Sequence, residues 1–324
     1  MNSVSPATYT YQRLVRYGDC DASSNYFTPR AVDYAVEAVE GWCENVLGVS
    51  WTGLISQRDL EVHFEHVGCE FRKTVTAGDV VTLRVRAAST DNSRIVFNVS
   101  GDNDAGEPCF LAALTACFVT RRQRESISIP PEFQELIDSY QACCGADAAT
   151  AKDTGHNEND GSRLPFQLTP GSRDEPFVHQ RRVAYGECNP SGTVYPPRVF
   201  DYLLEAVGEW YEKYLGISWL EQNIRKIGQP FLNVTCDYLS PIVPGQLIYT
   251  MVTVSRLGRS SIAYSAEGFD GNGVRCFDGK LTACYCIEED GALKATPFPE
   301  EMRGRITAYQ AVCDTFTCTK SSEV

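Results

Sequence analysis

Positive charge is in short supply. The chain has 29 Lys and Arg against 42 Asp and Glu, a formal net charge of −13. Nucleic acid and anionic membrane each need a basic face, so neither is an expected partner. Long apolar runs are missing too, and none approaches the roughly 20 residues that a membrane helix needs. Met1 to Thr8 has neither a basic start nor an apolar core, so no signal peptide is predicted and a cytoplasmic location is expected. Histidine is scarce, at four. Cysteine is not scarce, at fourteen, but no pair-and-pair spacing suggests zinc. No metal or cofactor is therefore expected. Several cysteines lie in apolar strand-like runs such as Thr115-Ala116-Cys117-Phe118, which predicts reduced, buried small hydrophobes. Cys143-Cys144 stands apart, where order is expected to end.

What the chain does have is a repeat. Tyr17-Gly18-Asp19-Cys20-Asp21-Ala22-Ser23-Ser24-Asn25-Tyr26-Phe27-Thr28-Pro29 returns 168 residues later as Tyr185-Gly186-Glu187-Cys188-Asn189-Pro190-Ser191-Gly192-Thr193-Val194-Tyr195-Pro196-Pro197. The match continues beyond the motif. Asp33-Tyr34 returns as Asp201-Tyr202, Glu37-Ala38-Val39 as Glu205-Ala206-Val207, and Trp42 as Trp210. Leu114-Thr115-Ala116-Cys117-Phe118 returns as Leu281-Thr282-Ala283-Cys284-Tyr285, and Tyr140-Gln141-Ala142 as Tyr309-Gln310-Ala311. One domain is duplicated. Two copies are too few for a solenoid, so an internal pseudo-dimer is expected.

Each copy follows one plan. A short strand comes first (11–16; 181–185), then a turn-rich stretch, then a helix opened by proline. Ala31, Tyr34, Ala35, Ala38, Val39 and Trp42 recur at spacings of three and four, as do Val199, Tyr202, Leu203, Ala206, Val207 and Trp210. So wide a stripe predicts a largely buried helix. Gly48 and Gly216 supply its stop. The remainder reads as strands rich in Val, Ile, Phe and Thr, parted by turns such as Asp102-Asn103-Asp104-Ala105-Gly106. One buried helix with consecutive antiparallel strands predicts an α+β domain whose sheet curls around its helix. Domains are expected over 8–142 and 177–315. The stretch 143–176 is read as a linker, because it is rich in Gly, Ala, Asp, Asn and Ser. His156, within it, reads as a solvated residue.

The motif before the helix, Tyr-Gly-Asp-Cys-Asp with Phe27 and Pro29 following, resembles the 4-hydroxybenzoyl-CoA thioesterase family of hot-dog proteins. The resemblance covers both halves and leaves the linker unmatched. It implies two tandem hot-dog domains, each a curved antiparallel sheet wrapped around a long helix. Family members pair two such domains and hold acyl-thioester sites between them, so the expected partner is an acyl-CoA or acyl-carrier-protein thioester. A homodimer of such pseudo-dimers is a further expectation. The second acid of the motif is the family's catalytic carboxylate, and that position is Asp21. A backbone N–H at the helix start, which falls at Thr28, polarises the thioester carbonyl. A helix N-terminus does offer free N–H groups and positive potential. A nearby carboxylate can attack the thioester carbon or activate water. The second copy departs at both points: Asn189 does not ionise, and Pro196 has no N–H. One working site per chain is therefore expected. The plainer alternative is that Asp21 only caps a turn.

Other candidates follow from the same comparison. Glu37 on the helix is a fallback base, because some hot-dog thioesterases use a helix Glu. Its alternative is an interface hydrogen bond shared by both halves, since Glu205 stands at the same place in the second. Arg121, Arg122 and Arg124 stand where the second copy has Glu288-Glu289-Asp290. They suit CoA or pantetheine phosphates, or are a solvated basic turn. Ser23, Ser24 and Asn25 are candidates to line the site, although small polar residues are usual in turns. Hot-dog dehydratases use a catalytic His, and the run Glu61-Val62-His63-Phe64-Glu65-His66 lacks their glycine and proline pattern. The leading expectation is a thioester hydrolase. Ala22-Ser23-Ser24, where the family commonly has Pro-Ala-Gly, leaves open a non-catalytic acyl-thioester binding or scaffolding protein. A related acyl-transfer or chain-release enzyme of a biosynthetic pathway is a third reading.

Overall fold

The structure, a computed structural model, describes residues 8–144, 175–290 and 292–321. The chain divides into two compact units. Most of the expected linker, residues 145–174, lies outside the described residues.

In the first unit Pro29 sits in the opening turn of helix α1 (Thr28–Trp42), where a missing N–H costs nothing. Ala31, Val32, Tyr34, Ala35, Ala38, Val39 and Trp42 are wholly buried on it. The helix runs on through a widened turn, Cys43–Leu47, and stops at Gly48, whose φ of 70° is left-handed. Strands β1 (Tyr9–Leu14), β2 (Leu60–Phe71), β3 (Val80–Thr90), β4 (Arg94–Asp102) and β5 (Pro108–Thr120) pair antiparallel in the order β1-β3-β4-β5-β2. Val81, Leu83 and Val85 of β3, with Ile95, Phe97 and Val99 of β4, alternate into the core. Trp42 meets Phe97 edge-on at 4.9 Å between ring centroids. Cys43, Cys69, Cys109 and Cys117 are buried as small hydrophobes.

The second unit repeats this. Its elements are β6 (Phe177–Arg182), α3 (Arg198–Leu215), β7 (Phe231–Tyr238), β8 (Leu247–Leu257), β9 (Ser261–Asp270) and β10 (Arg275–Cys284), after α2 (Pro131–Cys144), which belongs to the first unit. The strand order is β6-β8-β9-β10-β7, again antiparallel throughout. Trp210 meets Tyr264 at 5.3 Å where Trp42 meets Phe97. Gly216, with φ 71°, closes α3.

The boundaries differ from the sequence reading in places. The first strand of each unit begins earlier, at Tyr9 and Phe177, because its residues pair with β3 and β8. Each unit also ends in a helix where strands were expected: α2, and α4 (Glu300–Ser321). α2 carries the chain through Cys143-Cys144, where order was expected to end. α2 buries Phe133 and Ile137, and α4 buries Met302, Ile306, Tyr309 and Cys313. Hydrogen bonds add to this packing. Tyr140 Oη donates to the Val85 carbonyl (2.6 Å) and accepts from the Tyr9 N–H (2.8 Å). Tyr309 Oη donates to the Val252 carbonyl and accepts from the Phe177 N–H (2.8 Å). Gln141 and Gln310 add bonds to the Ala87 and Val254 carbonyls, each 3.2 Å. The repeated Tyr-Gln pair thus clips each terminal helix to its sheet. Among the described residues no helix is long and apolar enough to cross a membrane.

Candidate active site

The motif folds as a short hairpin between β1 and α1. Tyr17–Asp19 forms a single 3₁₀ turn. Cys20 and Tyr26 then bridge across the hairpin, and Asn25 bridges to Thr76. Tyr26, buried, donates its N–H to the Val75 carbonyl (2.9 Å) and seats the loop on the connection between β2 and β3. At the tip Asp21 is exposed. Its Oδ1 accepts from the Ser23 N–H (2.8 Å) and the Ser23 hydroxyl (2.6 Å). No hydrogen bond to Oδ2 occurs among the described residues. Asn25 Nδ2 donates to Ser23 Oγ (3.1 Å) and to the Ser23 carbonyl (3.4 Å), so Ser23, Asn25 and Asp21 form one network. Ser24 adopts φ 66°, the left-handed conformation.

The second copy has the same loop without the acid. Asn189 Oδ1 accepts from the Ser191 N–H (3.0 Å), Gly192 takes φ 82° where Ser24 has 66°, and Cys188 bridges Val194. The altered Ala22-Ser23-Ser24 sequence therefore keeps the turn that Pro190-Ser191-Gly192 makes. It does so at the strain of a non-glycine residue with positive φ.

The helix starts differ. Thr28 opens α1 directly after Phe27, and first-turn N–H groups have no intrahelical acceptor. In the second copy Pro196 and Pro197 occupy this place and α3 begins at Arg198. The N–H groups of Arg198, Val199 and Phe200 turn back onto the carbonyls of Tyr195, Pro196 and Pro197 (2.8–3.1 Å). The Pro196 carbonyl also accepts from Tyr238 Oη (2.8 Å). Both an acid and an N–H donor are missing there.

The remaining candidates are placed apart from the tip. Glu37 faces β1, where its Oε2 lies 3.2 Å from Arg13 Nε and accepts from Tyr11 Oη at 3.3 Å. Glu205 repeats this against Arg181 (2.7 Å). The pairing ties helix to strand in both copies, whether or not a carboxylate stands at the tip. Arg121, Arg122 and Arg124 follow β5, beside Asp59 at the start of β2. The Asp21 loop docks past the other end of β2, so the structure does not bring them together within this unit. Arg121 and Arg122 are exposed. Arg124 is partly buried and pairs with the buried Glu61 (3.6 Å). Burial, then the Asp19 and Asp21 carboxylates, push the thiol of Cys20, next to Asp21, up, away from the thiolate form that a nucleophile needs. His63 and His66 lie on β2. Burial, then Arg124, pushes His63 down.

Sequence reasoning passed over Asp19 and Tyr34. Asp19 Oδ2 accepts from the Arg16 N–H and from Tyr34 Oη, each at 2.8 Å. The signal was their return as Glu187 and Tyr202, which make the same two bonds at 2.8 and 2.9 Å.

Antiparallel strands around one buried helix in each unit, with the same turn before the helix and an acid at its tip in the first, define an α+β double hot-dog protein. Residues 15–137 match the family model described as thioesterase-like superfamily, and residues 191–277 that of the thioesterase superfamily. The chain belongs to the thioesterase superfamily, as two hot-dog domains in tandem. The 12:0-ACP thioesterase from Umbellularia californica matches it with a TM-score of 0.65 and 12% identity, over 86% of this chain and 94% of its own. An acyl-ACP thioesterase from Bacteroides thetaiotaomicron matches with a TM-score of 0.62 and 10% identity, over 85% and 96%. At such identities the likeness is one of fold. In sequence, the chain is 24% identical over 129 residues to a 1,4-dihydroxy-2-naphthoyl-CoA hydrolase from Picosynechococcus sp., covering 38% of this chain and 87% of that protein.

Proposed function

We propose that the protein hydrolyses an acyl-CoA or acyl-carrier-protein thioester at one working site, built on Asp21. The observation that carries this reading is the contrast between two loops of one shape. One presents a carboxylate beside a helix start that has an N–H. The other presents an amide beside two prolines. The names of the structural and sequence relatives, acyl-ACP thioesterases and an aroyl-CoA hydrolase, support thioester chemistry on this fold.

Ser23 holds Asp21 Oδ1, which leaves Oδ2 for the reaction. Oδ2 attacks the thioester carbon or takes a proton from the attacking water. The carbonyl oxygen gains negative charge and is stabilised by the Thr28 N–H and the positive end of α1. The thiolate of the carrier leaves; on the nucleophilic route water then cleaves the Asp21 acyl anhydride and restores the carboxylate, and on the other route the water oxygen is already part of the free acid. Glu37, occupied by Arg13 and Tyr11, serves to hold α1 against β1. Arg121 and Arg122, exposed and unlike their acidic counterparts, are assigned to anionic groups of the carrier.

Asp21→Asn nearly preserves size and hydrogen-bonding reach while removing ionisation. Hydrolysis across a panel of acyl-CoA and acyl-carrier thioesters is expected to fall by on the order of 10²–10⁴ with an unchanged melting temperature. Asn189→Asp is expected to add no activity, because Pro196 still lacks the donor. Full activity in Asp21→Asn would refute the assignment. Turnover absent from every thioester would favour the binding-protein reading. Replacing Arg121 and Arg122 together by Ala should weaken CoA-thioester binding and flatten its salt dependence. Unchanged affinity and salt slope would make the pair a solvated turn.

A further inference from the structure

Asp21 and Thr28 lie seven residues apart, at the tip and the base of one hairpin, and something must fix their separation. Asp19 is the residue at which both legs of that hairpin meet. Its main-chain carbonyl accepts from the Phe27 N–H at 2.8 Å, immediately before Thr28. Its N–H returns to the Arg16 carbonyl at 3.0 Å. Its carboxylate accepts from the Arg16 N–H and, across the loop, from Tyr34 Oη of α1. Tyr34 is wholly buried, so its ring has no freedom of its own. The Arg13 guanidinium lies over that ring at 5.1 Å and also pairs with Glu37, about one turn further along the helix. Burial, then the Asp19 carboxylate, pushes the Tyr34 hydroxyl up, so it remains a proton donor across the working pH range.

We propose that Tyr34 and Asp19 are positioning residues, which hold the Asp21 carboxylate at its working distance from the N–H at the start of α1. This rests on the Asp21 reading above. Neither residue is exposed at the loop tip, and both act through Phe27 and the hairpin. The second copy supplies an internal control. There Glu187 and Tyr202 make the same anchor, and the Tyr195 N–H donates to the Glu187 carbonyl at 2.9 Å. That loop carries no acid, so the anchor supports only the fold.

The test compares Tyr34→Phe, Tyr202→Phe, Asp19→Ala, Asp19→Glu and Asp21→Asn in the full chain, by steady-state hydrolysis, melting temperature and amide hydrogen exchange. Tyr34→Phe is expected to lower kcat about 10- to 100-fold, with KM changed less than about threefold, because misplacement of a reacting group by about 1 Å has that cost. Exchange at the Phe27 and Thr28 amides should rise about tenfold. Asp19→Ala, which removes the acceptor of both bonds, should behave likewise. Asp19→Glu should recover most of the loss, since Glu187 shows that a glutamate makes both bonds. Tyr202→Phe should lower the melting temperature as much as Tyr34→Phe while leaving kcat unchanged. Equal loss of kcat in the two Phe variants would overturn the proposal in favour of a structural anchor. So would full kcat and unaltered exchange in Tyr34→Phe. If Asp21→Asn stays active, the Asp21 reading falls and the positioning role falls with it. If Asp21→Asn is inactive while Tyr34→Phe is not, only the positioning role is lost.

Discussion

Ser24 holds a conformation for which the other copy uses glycine. A left-handed L-residue costs roughly 1–2 kcal/mol, and glycine returns part of that gain as unfolded-state entropy, about 0.5–1 kcal/mol. Ser24→Gly is therefore expected to raise stability by up to about 1 kcal/mol and to leave the hairpin intact. Gly192→Ser should lower it by a similar amount. Urea unfolding of the two variants checks this. A marked loss in Ser24→Gly would mean that the serine makes contacts that outweigh its backbone strain. The same scale separates the three arginines. Arg124 balances the buried Glu61, whereas Arg121 and Arg122 are exposed and make no such ion pair among the described residues, which suits the proposed contact with the carrier.

Among the elements, the terminal helices are the most exposed to a single change. α2 and α4 are clipped by one tyrosine each, whose hydroxyl satisfies an N–H on the edge strand and a carbonyl on its neighbour. Removing a hydroxyl that serves two buried main-chain groups costs about 1–3 kcal/mol. Tyr309 is buried, at 2% exposure, and Tyr140 is only partly so. Tyr309→Phe should therefore cost more than Tyr140→Phe. The measurement is urea unfolding, with hydrogen exchange at Phe177 and Tyr9 reporting which edge has opened. Equal and negligible losses would mean that side-chain packing, and not the clip, docks these helices.

At the scale of the molecule, two histidines are shifted in opposite directions. Burial works against charge on His179, but hydrogen bonds that its ring donates to the Glu205 and Glu209 carboxylates outweigh it and raise the group above its ordinary 6.5. That contribution is complete below about pH 6.5 and is lost as pH rises through the raised value. His63 is lowered from 6.5, first by burial and then by Arg124, so it withdraws stability as pH falls below about 6.5. Together they place a maximum near neutral pH. His179→Gln should flatten the alkaline side of the stability profile and His63→Gln the acid side, as read by melting temperature from pH 5 to 9. Should either substitution flatten the opposite side, the assigned direction of that shift is wrong.

Duplication, the buried helix, most strands and the loss of the acid in the second half were all legible in the sequence. Each is carried by local or periodic residue chemistry: the returning Trp42, the stripe from Ala31 to Trp42, Asn189 for Asp21, Pro196 for Thr28. The terminal helices were passed over although Met302, Ile306, Tyr309 and Cys313 of α4 recur at three and four; the hydrogen bonds that clip α2 and α4 reach strands more than fifty residues away and leave no mark of their own in the chain. Nor was the division of the arginines, since the partner of Arg124, Glu61, is brought alongside only by pairing of β2 with β5. The sequence named Asp21 as the candidate acid. Only the tertiary structure placed Asp19 and Tyr34 behind it, because their bond joins a loop to a helix face, and its direction is set by how the sheet packs α1.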